Sequence, residues 1–218
     1  MIALPLVGAV VGAIAGTIGD GASRFFGREL GAALALAALV ILTGAIHLDG
    51  FLDGCDAFLA SVAPDRRLAI LKDPNHGTYA VAGMFVAGLC WYAALVTLPP
   101  EREVAALALA GALARAAILP CAFAFPNART GAAPRALVSR PPIVAVAATL
   151  VVLAVAAYAF APPYALLVPA LVALAFVLGR TIARRLGGGL VGDAYGFLIV
   201  IGEVVATVAL ARAGAHLE

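Results

Sequence analysis

The chain has 218 residues, of which 64% are hydrophobic and 12% are charged. In soluble domains roughly a quarter of all residues are charged, so this composition excludes an ordinary water-soluble fold. It indicates one domain, residues 1–218, embedded in a lipid bilayer. The formal net charge of +2 gives no indication of nucleic-acid binding. The three cysteines lack CxxC spacing, which indicates neither a disulfide framework nor a zinc site.

Apolar stretches of about 18 to 23 residues, the length that crosses a bilayer as helix, follow one another along the chain. They lie at 2–19, 30–48, 77–98, 103–125, 142–160, 163–181 and 194–211. We therefore predict an all-α, polytopic membrane bundle of about seven transmembrane helices. Gly8, Gly12, Gly16 and Gly19 predict close helix packing in the first span, and small-residue faces of this kind would also suit a homo-oligomer.

The basic residues are distributed unequally between the two faces that these spans imply. One face holds nine of them, namely Arg66, Arg67, Lys72, Arg129, Arg135, Arg140, Arg180, Arg184 and Arg185. The other holds four, namely Arg24, Arg28, Arg102 and Arg212. Because positive residues favour the cytoplasm, we expect a cytoplasmic N-terminus and three cytoplasmic loops at 49–76, 126–141 and 182–193.

The most informative stretch begins at His47 and contains Asp49, Asp53 and Asp56. On a helix these three aspartates fall within an arc of about 60°. Like charges beside a low-dielectric region require compensation, most simply by a divalent cation. Ligands that are all oxygen favour a hard ion, Mg²⁺ or Mn²⁺. Because such ions usually also bind substrate phosphates, the cluster suggests a phosphate-containing substrate. A solvated acidic helix face is the alternative. His47 lies about 160° from Asp49 on a continuous helix, so it could join the site only if the helix breaks near Gly44 or Gly50. A capping or packing role and a catalytic role both stay open for it.

The polar connection that follows contains Arg66, Arg67 and Lys72, residue types that bind phosphate oxygens. Anchoring to the cytoplasmic face is the competing interpretation. Asp73 is a candidate metal ligand or a partner for Lys72, and we interpret His76 as a turn residue more than as a general base.

Two later elements add candidates. Arg115 lies in an apolar run, where a charge needs a partner, either the aspartates, a substrate phosphate or Glu203. The glycine-rich turn at 187–192 includes Gly188, Gly189 and Gly192, whose backbone N–H groups could bind an anion. Asp193 and Glu203 follow on one stripe of the last helix, and acids within a membrane are functional candidates.

Together these motifs resemble the cobalamin synthase family, the adenosylcobinamide-GDP ribazoletransferases of vitamin B12 assembly. The resemblance covers nearly the whole chain and depends on these elements in this order: Leu4–Gly8, His47–Asp56, Arg67–Gly77, Arg115, Gly188–Asp193 and Glu203. The chain departs from the family pattern at Pro74-Asn75-His76, where Ser, Arg and an aliphatic residue are usual, and at Val200, where an additional Glu often occurs.

The resemblance implies Mg²⁺-dependent transfer of the adenosylcobinamide phosphate group from adenosylcobinamide-GDP to the 5′-hydroxyl of α-ribazole, or of α-ribazole 5′-phosphate, with release of GMP. Asp49, Asp53 and Asp56 would hold Mg²⁺, and Asp73 or Asp193 would complete the metal site or accept the hydroxyl proton. Lys72, Arg115 and Arg140 would stabilise phosphoryl oxygens. The site would face the cytoplasm from the cell inner membrane.

Two other functions compete with this interpretation. CDP-alcohol phosphatidyltransferases also use several aspartates on membrane helices, but their motif places Ala-Arg shortly after Asp-Gly, and this chain lacks it. A cation transporter would also carry acids within the membrane, although its acids are expected near the bilayer midplane.

Overall fold

The computed structural model describes residues 1–128, 141–160 and 162–212. Within these ranges the chain is helical, and its only extended pairing is a parallel bridge between Asn127 and Leu190. The helices are α1 (Leu4–Phe26), α2 (Arg28–Leu42), α3 (Ile46–Leu59), α4 (Pro64–Ile70), α5 (Thr78–Thr97), α6 (Pro100–Ala117), α7 (Leu119–Ala124), α8 (Ile143–Phe160), α9 (Leu167–Arg185) and α10 (Gly192–Arg212), with a 3₁₀ helix at Pro162–Leu166 before α9.

The predicted all-α membrane bundle is confirmed, but the described helices give five spans, or six if the bent pair α2 and α3 forms one, and not about seven. Five described helical segments are long and apolar enough to cross a bilayer: α1, α5, α6 with α7, the 3₁₀ helix with α9, and α10. The predicted span at 30–48 is instead broken, because α2 and α3 meet at an angle of 92°. Gly44 and Ala45 make this bend, each with a φ of 59°. The predicted span at 142–160 forms the apolar helix α8.

Close packing of small residues holds the bundle together. A Cβ built on Gly8 would lie 2.2 Å from the Gly111 carbonyl oxygen, and one on Gly12 would lie 2.1 Å from that of Leu107. The predicted packing role of the first glycine stripe is therefore confirmed within one chain, between α1 and α6. The homo-oligomer draws no support from this stripe and stays a prediction.

α3 runs across one end of the bundle, where it meets the first turns of α5 and α10. We call this end, which holds Asp53, Gly77 and Asp193, the aspartate end. At the opposite end Arg28 forms an ion pair with Glu103 and donates to the Leu98 carbonyl at 2.7 Å. The loops at 49–76 and 182–193 meet at the aspartate end, as predicted, since Arg185 donates to the Phe58 carbonyl.

Candidate active site

Two glycines determine how α3 and α10 cross. A Cβ built on Gly50 would lie 3.2 Å from the Gly196 Cα and 3.0 Å from the Asp193 carbonyl oxygen. A Cβ on Gly196 would lie 3.1 Å from the His47 carbonyl oxygen. Contacts this short are tighter than a Cβ usually makes, so a larger residue at either position would have to shift the neighbouring backbone by a few tenths of an ångström. The crossing therefore places the aspartates of α3 beside the first turn of α10.

A group of three potential metal ligands lies next to this crossing. One donor atom from each of Asp49, Asp53 and His76 lies within 4.8 Å of the other two. The His76 Nδ1 is 3.5 Å from the Asp53 Oδ1. Asp49 and His76 are exposed and Asp53 is half-buried, so an ion and a substrate could reach the group from water.

The electrostatics of this group are unbalanced. Asp53 is repelled by Asp49, Asp193 and Asp56, and attracted by His76. Among the ion pairs of the described residues, Asp53 has His76 as its partner. A divalent cation would offset this repulsion, and two carboxylates form a donor set that suits Mg²⁺ or Mn²⁺.

The structure corrects the expectation that Asp56 points to the same place as the other two aspartates. Its Oδ2 accepts a hydrogen bond from the Gly77 N–H at 2.5 Å, and its Oδ1 accepts one from the Ala80 N–H at 3.1 Å. Asp56 therefore caps the N-terminus of α5, where free N–H groups and the helix dipole favour a carboxylate. His76, interpreted from the sequence as a turn residue, lies where Asp56 was expected.

Of the partners considered for Arg115, the structure pairs it with Glu203. Its Nη1 is 2.6 Å from the Glu203 Oε1 and donates to the Gly111 carbonyl at 3.0 Å. Its Nη2 lies 3.3 Å from the His47 Nδ1. Arg115 and Glu203 are both buried, so this network neutralises a charge inside the bundle and joins α6, α10 and the start of α3.

Two arginines hold the other end of α3 by its carbonyl groups. Arg67 is buried and donates from Nη1 to the Ala57 carbonyl at 2.5 Å, and Arg185 donates to the Phe58 carbonyl. Cations at a helix C-terminus stabilise it through the last carbonyls and the dipole. Arg67, predicted as a phosphate ligand, is thus engaged in positioning α3, and Arg185 is a positioning residue that sequence reasoning missed.

The remaining predicted residues of the polar connection are exposed. Asp73 accepts hydrogen bonds from the backbone N–H and the side chain of Asn75, which lower the pKa of its carboxyl. It lies outside the Asp49, Asp53 and His76 group. Arg66 attracts Asp73, and Lys72 is exposed beside it. Arg140 falls outside the described residues.

The glycine-rich turn is used mainly for structure. The Gly188 N–H bonds to the Ala183 carbonyl at 2.7 Å, which caps α9, and the Leu190 N–H bonds to the Pro126 carbonyl at 2.8 Å. A Cβ on Gly189 would lie 2.6 Å from that same Pro126 oxygen. Gly188 has a φ of 117°, which explains a glycine there. Gly187, Gly188 and Gly192 have open space where a Cβ would lie, so a ligand could still approach the turn at these positions.

Comparison with known proteins places the chain in a family. The family model described as cobalamin-5-phosphate synthase matches residues 1–211. The adenosylcobinamide-GDP ribazoletransferase of Stutzerimonas stutzeri is 36% identical over 95% of this chain and 84% of that relative. The enzyme of the same name from Escherichia coli is 31% identical over 96% of this chain and 86% of the relative.

No solved structure matches the chain. The match of the family model over nearly the whole length, with relatives above 30% identity, is sufficient to assign the family. The chain belongs to the cobalamin-5-phosphate synthase family and is a membrane-embedded transferase of cobalamin biosynthesis.

Proposed function

We propose that this chain is an adenosylcobinamide-GDP ribazoletransferase that depends on Mg²⁺. The 5′-hydroxyl of α-ribazole, or of α-ribazole 5′-phosphate, attacks the phosphorus attached to cobinamide. The bond from that phosphorus to GMP breaks, and the hydroxyl proton passes to a carboxylate. The products are adenosylcobalamin, or its 5′-phosphate, and GMP.

One observation supports this reaction above the others: the glycine crossing of α3 and α10 gathers Asp49, Asp53 and Asp193 at one end of the bundle. Asp49 and Asp53 would hold Mg²⁺, which when bound supplies charge neutralisation on the diphosphate. Asp193, on the neighbouring helix, is the carboxylate that we assign to accept the proton. Lys72 and Arg66, which are exposed in the polar connection after α3, are the described cations that we assign to phosphate binding.

The location of the acids also separates this reaction from ion transport. Asp49, Asp53 and Asp193 lie at one end of the bundle, whereas the two buried acids of the described residues, Glu203 and Glu103, are paired with Arg115 and Arg28. A transport path would require acids along the spans. We also propose that the aspartate end faces the cytoplasm in the cell inner membrane, because the described basic loops gather there.

The test is incubation of the purified full chain with adenosylcobinamide-GDP and α-ribazole, with Mg²⁺ or with excess chelator, followed by measurement of GMP. We expect GMP in amounts equal to the cobamide product, and only with the metal. Release that continues in chelator would contradict the metal's role. Ion flux through proteoliposomes with no nucleotide product would favour a transporter.

A further inference from the structure

We propose that His76 is a ligand of the metal held by Asp49 and Asp53, and that its imidazole shifts this site from Mg²⁺ towards first-row transition-metal ions such as Mn²⁺ and Co²⁺. The inference rests on the metal site of the proposed function, but it requires neither substrate nor turnover. It concerns a residue at which this chain departs from the Ser-Arg-aliphatic pattern.

The three donor atoms lie close enough together to share one ion. The His76 Nδ1 is 3.5 Å from the Asp53 Oδ1, and the donor atoms of Asp49, Asp53 and His76 lie within 4.8 Å of one another. Ligands bound at roughly 2.1 Å to one octahedral ion are about 3 to 4.2 Å apart. Side-chain movements of about half an ångström would therefore bring all three atoms onto one ion.

Hydrogen bonds of its neighbours in sequence hold His76 in this place from both sides. On one side Asp73 Oδ1 accepts the Asn75 N–H at 3.0 Å and the Asn75 Nδ2 at 2.9 Å, which closes a tight Asx turn. On the other side the Gly77 N–H donates to Asp56 at 2.5 Å. A residue between two such fixed points is directed at Asp53 by its backbone, and a ligand fixed in this way loses less entropy on binding.

The negative charge around Asp53 favours a bound cation. Asp53 is repelled by Asp49, Asp193 and Asp56, and within the described ranges its ion-pair partner is His76. A dication bound by the two carboxylates and a neutral imidazole brings two positive charges to the group. A protonated imidazole without a metal brings only one. Metal binding is thus the better compensation for this arrangement.

The predicted selectivity follows from ligand chemistry. Mg²⁺ binds oxygen almost exclusively, whereas an imidazole nitrogen is a better ligand for first-row transition metals. Removal of His76 should therefore weaken Mn²⁺ binding about tenfold and leave Mg²⁺ binding little changed, so that the Mn²⁺ to Mg²⁺ affinity ratio falls.

The experiment is electron spin echo envelope modulation of Mn²⁺ bound to the full chain in detergent, without substrates. We expect ¹⁴N modulation from a directly bound imidazole, and its replacement by a ¹⁵N pattern in protein labelled with ¹⁵N-histidine. His76→Ala, or His76→Asn if the first variant elutes as aggregate, should lose the modulation. His47→Gln is the matched control and should keep it, because His47 faces Arg115.

Mn²⁺ bound to the unaltered chain without ¹⁴N modulation would overturn the proposal, as would modulation that survives in both His76 variants. If the same preparation releases GMP with Mg²⁺ yet shows no modulation, only the role of His76 fails. If it binds Mn²⁺ with modulation yet releases no GMP, the transferase proposal fails and this one stands.

Discussion

Gly50 of α3 and Gly196 of α10 pack with so little space between them that a Cβ on Gly50 would lie 3.2 Å from the Gly196 Cα. Asp49 and Asp53 flank one partner of this contact in sequence, and Asp193 lies one helical turn from the other. The separation of the aspartates from Asp193 is therefore determined by two residues that have no side chain.

Replacement of Gly196 by valine should force α3 away from α10 and reduce turnover about 100-fold, because misplacement by about an ångström has effects of this size. Overpacking should also lower the free energy of unfolding by about 1 to 3 kcal/mol. Steady-state GMP release and thermal unfolding in detergent measure the two effects. Gly21→Val is the matched control, since a Cβ there meets nothing within 4 Å, and equal losses in both variants would contradict the account.

Replacement of Arg115 by methionine should destabilise the protein by about 3 to 5 kcal/mol, because it leaves the buried Glu203 without its partner. The double variant Arg115→Met, Glu203→Met should recover most of this loss. Thermal unfolding of the single and double variants gives the coupling. If the double variant is stable and retains turnover, the role of the pair is structural. If it is stable but inactive, the prediction that Arg115 binds a substrate phosphate is supported instead.

Asp56 and Asp53 should respond differently to the same substitution. Asp56→Asn weakens the cap of α5 and should cost about 1 kcal/mol of stability, with Mn²⁺ affinity nearly unchanged. Asp53→Asn should reduce Mn²⁺ affinity at least about tenfold. Titration of Mn²⁺ by electron paramagnetic resonance compares them, and an equal loss of affinity in both would favour the three-aspartate site expected from the sequence.

The proposed orientation predicts which positions a membrane-impermeant thiol reagent can reach in intact cells. In a Cys90→Ser background, Asp65→Cys should stay unlabelled until the inner membrane is opened, because it lies at the aspartate end. Glu101→Cys, exposed at the first turn of α6, should be labelled from the periplasmic side. The reverse pattern would place the site outside the cytoplasm.

Much of the fold could be predicted from local sequence, because bilayer thickness sets the length of each apolar run. The positions of all the predicted spans hold helix in the structure. The break at Gly44 and Ala45 is a different case, because the glycines of this stretch indicate two possible positions for a break, Gly44 and Gly50, and do not decide whether either is used. An alanine in the left-handed region is unfavourable on its own, and only the packing of α3 across α5 and α10 explains it.

In the site, too, the contacts within one helix could be predicted from the sequence, whereas the contacts made by the returning loop could not. The helical period brings Asp49 and Asp53 together, and here local reasoning agrees with the structure. It also places Asp56 on that face, but the returning loop brings the Gly77 N–H to Asp56, and a capping bond takes its carboxylate. The position of His76 depends on the same loop. Its one signal in the sequence was a histidine among turn residues beside a carboxylate cluster.

GMP release by the Asp53→Asn variant, with Mg²⁺, adenosylcobinamide-GDP and α-ribazole all saturating, tests the central claim most directly. The account predicts turnover at least about 100-fold below that of the unaltered chain, with folding unchanged by size-exclusion chromatography. Turnover at the normal rate, with the normal dependence on Mg²⁺, would show that the carboxylates gathered by the α3 and α10 crossing are not the metal site.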